Sequence, residues 1–66
     1  MNQNQRNKRA IRTILEQVGE ATYPEIALRG GEGLASSLME MVQDREVVRD
    51  EDETRPVYQQ VFYRLA

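Results

Sequence analysis

With 66 residues, a formal net charge of -2 and neither cysteine nor histidine, the chain has room for one domain and excludes a disulfide framework, thiolate metal sites and Cys- or His-based catalysis. A domain this small buries only about 60% of the surface its unfolded chain exposes, so a net stability on the order of 3–10 kcal/mol and no large substrate cleft are expected. The longest apolar runs are two or three residues, against the roughly 20 needed to cross a bilayer, and the opening lacks the apolar core of a signal peptide. A reducing, cytoplasmic setting and no membrane are expected.

The charge is asymmetric. Residues 1–15 carry Arg6, Lys8, Arg9 and Arg12 and no acid, whereas residues 16–66 set five bases against eleven acids. The polar start, about residues 1–5, is expected to fray. A first helix is predicted over about 5–18, because Ile11, Ile14, Leu15 and Val18 recur at i, i+3, i+4 and i+7, and Gly19 is its natural stop. Its cations lie in the first two turns, where the helix dipole does not favour them. They are either a solvated face or a phosphate-contacting arm.

Glu20 to Thr22 reads as a short strand able to pair with a C-terminal hairpin. Thr22-Tyr23-Pro24-Glu25 has the form of a capping box, with Pro24 in the first turn, where its missing amide hydrogen costs nothing. It opens a second helix over about 23–29 that turns Ile26 and Ala27, with Leu28 beside them, inward. Arg29-Gly30-Gly31-Glu32-Gly33 reads as a tight turn; it lacks the lysine-Ser/Thr pair of a Walker loop. A third helix is predicted over about 32–44, its stripe of Leu34, Leu38, Met41 and Val42 facing the core and Ser36, Ser37, Glu40, Gln43 and Asp44 facing out. Met39 is read as a gap-filler at the edge of that stripe.

After Asp44-Arg45 the apolar period drops to two. Strands are predicted over Glu46 to Asp50 and Pro56 to Leu65, a hairpin spanning about 46–65. One face of the second strand takes Val57, Val61, Tyr63 and Leu65. The other takes Tyr58, Phe62 and Arg64 and, with Val48, forms either a covered surface or a contact patch.

The order of helix, short strand, helix, tight turn, helix and hairpin resembles the winged helix-turn-helix family of small prokaryotic or phage-type regulators over nearly the whole chain. The likeness is carried by Pro24-Glu25-Ile26-Ala27, by the spacing of Leu34, Leu38, Met41 and Val47 with Arg45 before the strand, and by Phe62-Tyr63-Arg64-Leu65-Ala66. It implies an α+β fold: a three-helix winged helix-turn-helix with a C-terminal two-stranded β-hairpin wing and a short strand before the second helix. It also implies a DNA-binding transcriptional regulator whose third helix enters the major groove. Carried over by position, the DNA-binding residues are Ser36, Ser37, Glu40 and Gln43, supported by Arg29 and by Arg6, Lys8, Arg9 and Arg12. Duplex DNA is then the expected partner, bound by a homodimer whose doubled contacts supply affinity.

The sequence departs from the family where Arg45 stands in place of a frequent glycine and where Asp50, Glu51, Asp52 and Glu53 make the wing tip acidic. Four acids repel phosphate, so the alternative reading is a protein-interaction module. It would meet a basic protein partner through that tip, or another partner through Val48, Tyr58 and Phe62. An enzyme is not expected, since no His or Cys is present and the carboxylates form no metal or acid-base constellation; no catalytic residue, metal, cofactor or small-molecule substrate is implied.

Overall fold

Asn2 begins the first helix: its side-chain oxygen accepts the Gln5 amide at 2.8 Å, and α1 (Gln3–Val18) follows. The computed structural model describes residues 2–66. Of the segment expected to fray, Met1 lies outside the described residues, whereas residues 2–5 form a capped helix start. Its inward stripe buries Ile11, Ile14 and Leu15, and Gly19, at φ 84°, closes it with an amide bond to the Leu15 carbonyl. β1 (Glu20–Ala21) leads into α2 (Tyr23–Gly30), where the Thr22 hydroxyl accepts the Glu25 amide and donates to the Glu25 carboxylate at 3.1 Å. The capping box therefore closes through the Thr22 side chain.

Gly31 ends α2 at φ 94°, a left-handed angle that favours glycine, and its amide reaches the Ala27 carbonyl. Gly33 also has a positive φ, so the third helix starts later than its pattern predicts. α3 (Ala35–Gln43) is preceded by Leu34, which provides no side-chain cap. Nine residues are too few for a stable isolated helix. Packing holds α3 in place: Leu34, Leu38 and Met41 are at most 2% exposed and join Ile11, Ile14, Leu15, Ile26 and Val47 in one core. Leu28, expected inward, is 88% exposed; it falls on the side of α2 opposite Ile26.

The helix C-terminus is closed by a Schellman motif, in which the Glu46 amide bonds the Met41 carbonyl and the Arg45 amide the Val42 carbonyl. Arg45 occupies its left-handed position at φ 63°, where glycine is usual. β2 (Val47–Glu51) and β3 (Val61–Leu65) then pair antiparallel, Val47 opposite Leu65 and Glu51 opposite Val61. β1 adds to the other side of β3, with Ala21 opposite Tyr63. The fold is α+β, with three helices and an antiparallel sheet of three strands in the order β1-β3-β2, one more than the hairpin alone.

The second hairpin strand is shorter than predicted. Pro56 starts a 3-10 turn over Val57–Gln59, and the Asp52 amide bonds the Gln60 carbonyl to close the loop. Val57, expected on the core face, is thus 85% exposed, and Tyr58 is 75% exposed. No helix among the described residues is long and apolar enough to cross a membrane.

Candidate nucleic-acid interface

Burying Leu38 and Met41 turns Ser36, Met39, Glu40 and Gln43 to solvent along one edge of α3. Ser37 does not share that edge. It is 2% exposed and its hydroxyl donates to the Asn4 side-chain oxygen of α1 at 2.5 Å. The spacing 34, 37, 38, 41 is itself the helical core pattern; the polarity of serine argued for solvent, and the compensating partner stands 33 residues away. Met39, read as a gap-filler, is 63% exposed and projects from the same edge.

Beside the edge runs a cleft of about 320 Å³ between α3 and the hairpin, lined by Met39, Val42, Gln43, Arg49 and Tyr63. Arg49 and Tyr63 face each other across β2 and β3. Their place in the cleft follows from strand register, which a period-two pattern alone does not fix.

The structure splits the basic residues of α1 between two flanks. Lys8 and Arg12 face α3 and β2: Lys8 lies 4.0 Å from Glu40, and Arg12 donates twice to one Glu46 oxygen, at 2.8 and 3.0 Å. Arg6 instead borders a groove of about 830 Å³ against α2, with Arg29 opposite and Ala10, Ile14 and Gly30 between, while Arg9 lines both this groove and a pocket of about 310 Å³ shared with Lys8, Arg12 and Glu46. Arg6 and Arg29 thus lie on the flank away from Lys8 and Arg12, with Arg9 between the two groups.

The acidic tip is largely neutralised from within. Asp50 bonds Arg64 at 2.9 Å, Glu51 bonds Arg49 at 2.7 Å, and Asp52 lies 3.3 Å from Arg55, which also holds Glu20 at 2.9 Å. Of the four tip acids, only Glu53 has no cation within 4.0 Å among the described residues. Asp52 also accepts the hydroxyl and the amide of Thr54, at 2.6 and 3.0 Å. These two bonds, and then Arg55, hold its carboxyl below its ordinary pKa.

The apolar outer face expected from Val48, Tyr58 and Phe62 does not form. Phe62 is 8% exposed, with the Arg55 guanidinium 4.1 Å above its ring, Val48 is half-buried opposite Arg64, and Tyr58 sits apart on the 3-10 turn. No cluster of three or more potential metal ligands occurs among the described residues. In comparisons with known proteins, no family model matches the chain, and neither does any curated protein or solved structure.

Proposed function

We propose that the chain is a small duplex-DNA-binding regulator of winged helix-turn-helix type, reading the major groove with the outer edge of α3. The supporting observation is that edge itself: Ser36, Glu40 and Gln43 project from a helix fixed by its buried side, next to a cleft carrying Arg49. A rigid helix with three short polar side chains and Met39 has the donors, acceptors and apolar contact that base edges require. Lys8 offsets Glu40 and Arg12 offsets Glu46, so the carboxylates near the edge repel phosphate less than their number implies.

The ion pairs of the hairpin weigh in the same direction. A basic protein would meet tip acids that already face Arg49, Arg55 and Arg64, which weakens the protein-interaction reading at the tip but leaves the acidic balance of residues 16–66 in its favour. Fluorescence anisotropy of a labelled duplex, titrated at low salt, tests the DNA reading. Binding should weaken steeply as salt rises, because it depends on released counterions. Gln43→Ala should lower affinity about tenfold, a loss within the 1–3 kcal/mol of a base contact, with an unchanged melting curve. Absence of any binding at low salt would remove the proposal.

A further inference from the structure

Of the nine cations, only Arg6, Arg9, Arg29 and Arg45 have no carboxylate within 4.0 Å among the described residues. Three of these four line the groove between α1 and α2, whose lining holds no carboxylate, whereas the smaller pocket that shares Arg9 contains Glu46. On α1, Arg6, Arg9, Ala10, Thr13 and Gln17 recur at i, i+3, i+4, i+7 and i+11, so one helix face lines the groove for about 17 Å. Between the arginines the groove is low and apolar, with Ala10 half-buried, Ile14 beneath it and Gly30 exposed. A Cβ at Gly30 would stand 2.9 Å from Leu34 Cδ1 and 3.0 Å from Ile14 Cδ1, so a side chain there would press on the core. The groove therefore sets unpaired positive charge beside a shallow apolar strip.

We propose that this groove docks an acidic amphipathic helix of a different protein, its carboxylates on Arg6, Arg9 and Arg29 and its apolar side chains over Ala10, Ile14 and Gly30. Charge complementarity selects the occupant. A guanidinium offers a carboxylate two parallel N–H donors, and three arginines free of internal acids have that capacity unused. A helix of about eleven residues matches the groove in length, and helices docked in grooves are held by apolar anchors at i, i+3 or i+4, and i+7. A nucleic-acid backbone would meet the arginines through its phosphates but brings nothing apolar to the strip, which favours the peptide. The contact engages none of the outer α3 residues and stands whether or not that helix reads DNA.

Selection of a surface-displayed library of random peptides of about twelve residues against the full chain, followed by nuclear magnetic resonance with the purified winners, tests it. Recovered sequences should be rich in Asp and Glu with apolar residues three and four apart, and should shift the amide resonances of Arg6, Ala10, Thr13, Gln17 and Gly30 while leaving Ser36, Glu40 and Gln43 unmoved. Arg6→Glu and Arg29→Gln should each weaken the selected peptide about tenfold or more. Ala10→Leu, which keeps every charge but fills the strip, should weaken it as well, and a peptide with its acids replaced by lysine should prefer Arg6→Glu to the native chain. Arg6 and Arg29 are exposed and Ala10 is half-buried, so circular dichroism should show intact folds. Failure to recover peptides, winners without acidic enrichment, shifts confined to α3 or to Lys8, Arg12 and Glu46, or variants that bind like the native chain would each overturn the proposal. So would a DNA duplex that moves the groove amides where the selected peptide does not. Because the selected peptides are titrated without nucleic acid, the peptide outcomes are separate from the fate of the DNA reading.

Discussion

Ser37→Ala removes the donor that meets Asn4 and leaves the serine's buried pocket without its bond. A neutral hydrogen bond contributes about 0.5–1.5 kcal/mol, and 1 kcal/mol shifts the melting temperature by roughly 4–8 °C in a domain this small. Thermal denaturation should show that drop for Ser37→Ala and almost none for Ser36→Ala, whose hydroxyl faces solvent. Arg45→Gly should act in the opposite direction. Left-handed backbone costs a side-chain-bearing residue about 1–2 kcal/mol, while glycine loosens the unfolded chain by about 0.4–1 kcal/mol; a net stabilisation of about 0–1.6 kcal/mol is expected in a chemical melt. At Asp52 the lowered pKa means that its bonds stabilise the folded tip above the ordinary carboxylate pKa and are lost as pH falls through the lower, folded one. The Thr54 amide resonance should titrate below the ordinary carboxylate pKa; titration at or above it would show that the Thr54 and Arg55 contacts do not favour the ionised carboxylate. Sequence alone located Arg45 as anomalous. It could not locate Asn4, because the partner of a buried hydroxyl is a long-range fact.

At the scale of elements, the helices were legible where their signals are local. The stripe of α1, the Thr22-Glu25 cap and the glycine stop of α2 each involve residues within about two turns, and each is found. The start of α3 was not, because two glycines with positive φ uncoil the turn before it. The strand from Pro56 failed for a related reason: apolar Val57 and Tyr58 fit a period-two pattern, but Pro56 and the bonds of the Asp52 turn set a 3-10 coil there instead. Two substitutions separate these environments in urea melts. Val57→Ser should change stability by no more than about 0.5 kcal/mol, whereas Phe62→Ala, beneath Arg55 and 8% exposed, should cost about 3 kcal/mol.

Among the described residues, surface charge includes six ion pairs within 4.0 Å. Exposed pairs contribute about 0–1 kcal/mol each and are screened by salt. Adding salt should therefore lower the melting temperature only slightly while greatly reducing any binding to a polyanion. The candidate site was legible in part. Ser36, Glu40 and Gln43 emerge from helical period alone, whereas the pairing of the tip acids and the division of the α1 cations between two flanks depend on how distant elements meet.

The strand order carries a consequence for assembly. The central strand, Val61–Leu65, is the last in the chain, and both of its neighbours bond to it and not to each other. Neither ladder can form without Val61–Leu65, because β1 and β2 each pair with that strand alone. Disrupting the central strand would remove both ladders at once, where disrupting an outer strand would remove only one.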